Sequence, residues 1–182
     1  ASVYKEMPLA VVRPRTHDDI KAVIALAREL KLPIVPRTAG TSLAGQVVGA
    51  GIIVDVSKYF TQILEVNKEE KWVKVQPGVI RDDLNKYLKS YGLFFAPETS
   101  TANRCMIGGM VGNNSCGSHS PLYGTTRDHL LELDVILADG SEAHFGKISK
   151  EEFERKCQEQ TLEGQIYKDT RDMLIDGFNQ EE

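Results

Sequence analysis

Apolar positions along this chain switch between a helical and a strand rhythm, and the order of the switches predicts its elements. Leu9 to Val12 is a short apolar run closed by Pro14. Thr16, with Asp19 three residues on, has the pattern of a helix N-cap followed by an acid in the first turn. The helix itself is marked by Ile20, Val23, Ile24, Ala27 and Leu30, spaced i, i+3, i+4, i+7 and i+10, and Pro33 stops it. Ile34 and Val35 read as strand. After a glycine-rich stretch from Arg37 to Gly51, the unbroken run of Ile52, Ile53, Val54 with Val56 suits a buried strand. Ile63 to Val66 and Trp72 to Val75 predict two strands joined by the charged turn Lys68 to Lys71, and Pro77-Gly78 closes the pair.

The second half repeats the alternation. Val79 to Tyr91 predicts a helix with Leu84, Tyr87, Leu88 and Tyr91 on one face and Gly92 placed to end it. Leu93 to Ala96 returns as strand, and a long segment rich in glycine and asparagine follows from Pro97 to Gly124. Leu130 to Ala138 and Ala143 to Phe145 predict a hairpin around Asp139-Gly140. Ser149 and Glu152 have the spacing of a capping box for a third helix, and Ile166 to Ile175 predicts a fourth, more polar one. The result is an α+β chain in which residues 1–78 form one α/β subdomain and residues 79–182 a second.

Size and charge narrow the functions. With 182 residues, one substantial core or two small subdomains about a shared cleft is expected. The net charge is −4 and basic residues are interspersed with acids, so no basic stripe could track a nucleic acid backbone. No apolar run approaches the roughly 20 residues of a spanning helix, and the N-terminus lacks the order of a signal peptide. Cys105, Cys116 and Cys157 are odd in number and show no C-x-x-C spacing, which argues against a disulfide framework or structural zinc and for a reducing cytoplasm. His17, His119, His129 and His144 are scattered without metal-ligand spacing.

Candidate chemistry therefore lies in the two glycine-rich segments, since long loops inside a compact domain are usually functional. The first, Pro36 to Gln46, follows a strand. Gly40 and Gly45 let its backbone take positive φ and approach a ligand, so that consecutive N–H groups point at one anion, while Thr38, Thr41 and Ser42 add hydroxyl donors. A nest of that kind suits a phosphate or pyrophosphate; the bland alternative is a tight connection between strands. Gly40 and Gly45 have P-loop spacing, but Gln46 and Val47 replace the Lys and Ser/Thr that would meet the phosphates and Mg²⁺, so nucleotide hydrolysis is disfavoured. The G-x-G-x-x-G fingerprint of an ordinary Rossmann domain is absent from both segments. In the second segment Gly108, Gly109, Gly112 and Gly117 sit among short polar side chains. Two such loops together can supply the apolar walls, amide donors and phosphate neutralisation that a buried flavin needs.

In order and spacing these residues resemble the PCMH-type FAD-binding fold, shared by p-cresol methylhydroxylase, vanillyl-alcohol oxidase and D-lactate dehydrogenase. The family's R-x-x-G-[TH]-S loop is matched by Arg37, Gly40, Thr41 and Ser42. Its P-[DE]-x-[ST] turn is matched by Pro97, Glu98 and Ser100, and its I-G-G-x-x-x-x-N segment by Ile107, Gly108, Gly109 and Asn114. Its Y-G-x-x-R-D element is Tyr123, Gly124, Arg127 and Asp128. The likeness covers about Met7 to Gly146, and the loop wording is similar to the D-lactate dehydrogenase and glycolate oxidase branch.

That resemblance implies a PCMH-type fold with FAD held between the two subdomains. It implies that backbone amides of Thr38, Ala39, Gly40, Thr41 and Ser42 hold the pyrophosphate, with Pro36, Arg37, Gly45 and Gln46 of the same loop also at the cofactor. Pro97, Glu98, Thr99, Ser100, Ile107, Gly108, Gly109, Gly112, Asn114 and Ser115 would flank the ribityl chain and isoalloxazine. The implied reaction is hydride transfer from the α-carbon of a D-2-hydroxy acid to flavin N5, with electrons passing to another acceptor. Where some relatives attach FAD through His or Cys, this chain has Thr41 and Ala102, so noncovalent FAD is expected. The family's closing G-S-E-G-T-L-G-like strand and substrate-binding cap are not found before Glu182, so the chain is expected to be an excised portion, inactive alone and without catalytic residues of its own.

Two other readings of the same residues remain. One is a reductase similar to UDP-N-acetylenolpyruvoylglucosamine reductase, in which the flavin receives hydride from NADPH. The other is a non-enzymatic phosphate- or nucleotide-binding module. Arg127 and Asp128 are expected to form a structural ion pair, Cys105 and Cys116 to be ordinary small hydrophobes, and the sequon Asn113-Asn114-Ser115 to be part of the cofactor loop.

Overall fold

The structure is a computed structural model that describes residues 3–180. The chain divides into two compact units, one up to Leu130 and one from Leu131.

The first unit opens with a three-stranded parallel sheet in the order β1-β3-β2, formed by β1 (Ala10–Val12), β2 (Ile34–Arg37) and β3 (Ile52–Asp55). Central β3 buries Ile52, Ile53 and Val54 in succession, as its unbroken apolar run requires. Helix α1 (His17–Leu30) connects β1 to β2. Its N-terminus carries a complete capping box: the Thr16 side chain accepts from the Asp19 N–H, and the Asp19 carboxylate accepts from the Thr16 N–H. Ala27 of α1 packs with Ile52 and Val54 of β3.

The antiparallel pair β4 (Ile63–Asn67) and β5 (Trp72–Val75) follows, then α2 (Arg81–Leu88), which runs into a 3-10 turn, Lys89–Tyr91. Gly92 ends that turn with φ +70°, as the sequence requires. α2 starts two residues later than the pattern predicts. The Val79 carbonyl accepts from the Ile107 N–H, and Ile80 forms a bridge with Met106, so both residues are extended.

Leu93 to Ala96 forms no strand, and the reason is visible. Asn85 of α2 accepts from the Phe95 N–H at 2.7 Å and donates to the Phe95 carbonyl at 3.0 Å, while Arg81 Nε donates to the Pro97 carbonyl at 3.0 Å. Helix side chains thereby take the hydrogen bonds that a sheet neighbour would have taken. The unit's larger core joins Val79, Leu84, Leu88, Cys105, Ile107 and Met110, with Ile63, Val66, Val73 and Val75 of the hairpin packed on it. This core crosses residue 78, where the sequence placed a subdomain boundary.

The glycine-rich second segment contains two short helices that the pattern does not announce, α3 (Ile107–Gly112) and α4 (Ser120–Tyr123). In the second unit, β6 (Leu133–Ile136) and β7 (Glu142–Phe145) form the expected hairpin, with Gly140 at φ +88° in its turn. Helix α5 (Lys150–Cys157) is capped by the Ser149 side chain, which accepts from the Glu152 N–H. Helix α6 (Leu162–Gln180) is longer than its apolar pattern suggests. No described helix is long and apolar enough to cross a membrane.

Candidate functional site

The first glycine-rich segment leaves the end of β2, on which Pro36 and Arg37 still lie, and turns at Gly40 with φ +66°. At this dihedral a side chain would be strained, and the space is already taken. A Cβ on Gly40 would come within 2.6 Å of the Arg37 guanidinium, which lies against the turn. No described residue gives that guanidinium a hydrogen bond or ion pair. Arg37 is thus a half-buried, unpaired cation beside Thr38 to Ser42. Burying a charge without a partner is costly, so such a group is suited to an external anion.

The Ser42 hydroxyl, expected as a free donor, instead donates to Gln46 Oε1. Gln46 Nε2 donates to Asn113 Oδ1 at 3.1 Å, reaching across to the second segment. Gly45, at φ +86°, packs beneath the Tyr4 ring.

In the second segment, the Pro97–Ser100 turn carries Glu98, whose carboxylate accepts from Ser118 Oγ at 3.1 Å and is bonded to His119 Nδ1. The His119 bond first, and then the Ser118 hydroxyl, hold the Glu98 carboxyl below the ordinary carboxylate range. Glu98, Thr99 and Ser100 line a cavity of about 440 Å³ together with Cys116, Gly117 and Ser118. Thr99 Oγ1 bonds the thiol of buried Cys105 at 3.3 Å, so that cysteine belongs to the core.

The glycines at the start of helix α3 are required by close approach. A Cβ on Gly108 would meet Pro77 at 2.4 Å, and one on Gly109 would meet Thr38 Oγ1 at 2.5 Å. Meanwhile Ile107 and Met110 turn into the core. Thr38–Gly109 and Gln46–Asn113 therefore bring the two glycine-rich segments together.

Other predicted residues play supporting parts. Asn114 sits at φ +44° and its Oδ1 accepts from the Arg127 N–H at 2.9 Å, while Gly112 has open space around it. Asp128 forms no ion pair with Arg127 among the described residues: it accepts from the Thr125 N–H at 2.7 Å and the Thr125 hydroxyl at 2.9 Å. These bonds, the backbone one foremost, hold the Asp128 carboxyl below its usual range. Residues that the sequence did not single out are Ser118 and Thr126, and Asn113 figures there only as part of the sequon. Only their place beside motif residues could have suggested them.

The family described as FAD binding domain matches residues 8–146. The chain belongs to this family. It is the PCMH-type family to which the loop motifs pointed, and its cofactor is FAD. Among curated relatives, the D-2-hydroxyglutarate dehydrogenase of Pseudomonas putida is 41% identical over 175 residues, covering 94% of this chain and 17% of the relative. The glycolate oxidase subunit GlcD of Bacillus subtilis is 39% identical over 150 residues, covering 81% of this chain and 32% of the relative. This FAD binding domain thus spans less than a third of either protein. Among solved structures, 6-hydroxy-D-nicotine oxidase from Arthrobacter nicotinovorans superposes with a TM-score of 0.69 at 21% identity, over 82% of this chain and 33% of that one, which establishes the shared fold. The residues present are chemically compatible with that cofactor: the first segment offers a cation with no partner among the described residues and a positive-φ turn, and the second segment encloses a cavity.

Proposed function

We propose that this FAD-binding domain serves a flavin-dependent dehydrogenase that oxidises a D-2-hydroxy acid such as D-lactate, glycolate or 2-hydroxyglutarate. The observation that carries the cofactor site is the Arg37 guanidinium, lying unpaired against the positive-φ turn at Gly40. In this reading it neutralises the pyrophosphate while backbone N–H groups of Thr38 to Ser42 point at the same anion. The turn Pro97–Ser100 and the residues Ile107, Gly108, Gly109, Gly112, Asn114 and Ser115 flank the rest of the cofactor, which lies between the two loops. Bound FAD supplies the acceptor for the substrate's hydride.

The substrate class rests on likeness to the D-2-hydroxyglutarate dehydrogenases and the glycolate oxidase subunit. The electron acceptor and the groups that grip the substrate belong to other parts of the full protein in this reading. Thr41 and Ala102 offer no nucleophile to a flavin at the two family attachment positions, so FAD is held noncovalently. The three cysteines are free in the structure, two of them buried, which suits a reducing cytoplasm.

The test is an absorption spectrum of the purified protein with FAD, followed by acid precipitation and by anaerobic mixing of the full-length protein with D-lactate, glycolate or D-2-hydroxyglutarate. Shifted flavin bands that appear in the supernatant after acid, and that bleach with one of the three acids before it, are the expected result. Flavin that stays oxidised with all three sinks the substrate class, and flavin that stays in the pellet sinks noncovalent binding.

A further inference from the structure

The polar bridge between the two glycine-rich loops runs in one direction. Ser42 donates its hydroxyl proton to Gln46 Oε1, Gln46 Nε2 donates to Asn113 Oδ1 at 3.1 Å, and Asn113 Nδ2 donates to Ser115 Oγ at 3.4 Å. Each amide thus accepts on its oxygen and donates from its nitrogen. Two hydroxyls end the chain and are left unlike each other. Ser42 has spent its proton and presents only lone pairs. Ser115 is an acceptor within the chain, so its own proton is free to be donated outward.

Gln46 and Asn113 are 67 positions apart and exposed, so neither is held in place by the core. Their link is the only hydrogen bond between side chains of the two loops among the described residues. Its companion contact, Thr38 against Gly109, is steric and fixes distance without fixing polarity.

The geometry points to Gln46 and Asn113 as positioning residues that clasp the two loops and leave the Ser115 hydroxyl as a hydrogen-bond donor to FAD. This rests on the reading that these loops hold the cofactor. Asn113 carries no family motif position, and its role follows from the bond alone. The clasp acts only through both partners, so the loss of either should equal the loss of both. An aspartate at 113 separates the two effects. It still accepts from Gln46 but cannot donate to Ser115, and it draws the Ser115 proton inward.

FAD affinity is measured by fluorescence quenching in the purified protein for Q46L, N113L, the double variant and N113D, with flavin-free thermal melting alongside. Expected is a loss of about 10-fold in affinity for each leucine variant, no further loss in the double variant, and unchanged flavin-free melting. N113D should lose a similar factor even though the clasp is kept. Multiplying losses in the double variant, or affinities equal to the parent, overturn the clasp, and a parent-like N113D overturns the role of the Ser115 proton. Gly40→Val is measured in the same series: if it abolishes binding while the clasp variants bind normally, the clasp fails and the loops stand as the cofactor site.

Discussion

Thr38 Oγ1 lies over the Cα of Gly109, so close that a Cβ there would meet it at 2.5 Å. The contact sets the separation of the first glycine-rich loop from helix α3, and it explains why glycine occupies a helical position where it otherwise weakens the helix. Gly109→Ala should push the loops apart and reduce FAD affinity by about 10-fold or more, since real Cβ atoms do not tolerate such a distance. Removing the obstacle should repair it: in a Thr38→Ala background the nearest remaining atom is the residue 38 Cβ at 3.9 Å. Titration of FAD into the single and double variants decides the matter, and a double variant as weak as Gly109→Ala would rule out steric spacing as the cause.

Arg37 and Gly40 give a second prediction. Gly40→Val places a β-branched side chain at φ +66° and against the Arg37 guanidinium, at a strain of about 1–3 kcal/mol. Because the turn is peripheral to both hydrophobic cores, FAD binding should fall further than the flavin-free melting temperature does. Arg37→Gln should weaken binding and flatten its dependence on salt, since one cation facing the phosphates is gone. A salt dependence identical to the parent would mean that Arg37 does not face the cofactor's phosphates.

The Glu98 carboxyl is held low by His119 and Ser118, and the sign of its linkage is fixed by that direction. A carboxyl with a folded pKa below its unfolded value of about 4.5 adds stability that is complete above this pH and is lost as pH falls through the folded pKa. The parent's melting temperature should therefore decline more steeply in that acid window than that of Glu98→Gln, which keeps an acceptor for Ser118 but cannot ionise. Parallel curves for the two proteins would show that the Glu98 pair contributes nothing to folding. Near neutral pH no such difference in slope is expected from this group.

Most of the frame was legible because apolar rhythm and capping chemistry agree in it. Thr16 and Asp19 announced α1, the unbroken run Ile52 to Val54 announced the central strand, and Asp139-Gly140 announced the second hairpin. Helix α3 was not legible, since three of its six residues are glycine, and two of these are required by the close approach of Pro77 and Thr38 from distant parts of the chain. What could have been read is the spacing of Ile107 and Met110, which both turn into the core. The expected strand at Leu93 to Ala96 failed for a related reason: a strand needs a neighbour, and here Asn85 and Arg81 supplied side chains in its place. At the site, motif residues marked the loops, whereas the bond from Gln46 to Asn113 depends on three-dimensional proximity that no local pattern encodes.

Asn114, with Thr126 as the structural comparison, tests whether a motif residue acts on the cofactor or on the fold. Thr126 is 1% exposed, and both its hydroxyl, at 2.7 Å, and its N–H, at 3.0 Å, donate to the Ser115 carbonyl. Thr126→Val removes the hydroxyl but leaves that carbonyl one partner, so the expected loss is about 1 kcal/mol of stability. Asn114 holds the Arg127 N–H while adopting φ +44°, a conformation that alanine resists. Asn114→Ala forfeits the bond and strains the backbone together, for a loss of about 2 kcal/mol or more. Asn114→Gly forfeits only the bond and should fall between Asn114→Ala and the parent in urea unfolding. If stability is the whole of its role, FAD affinity at low temperature should follow the same order and scale with the fraction folded. An Asn114→Gly protein that is fully folded yet has lost FAD would instead place the Asn114 amide against the cofactor itself.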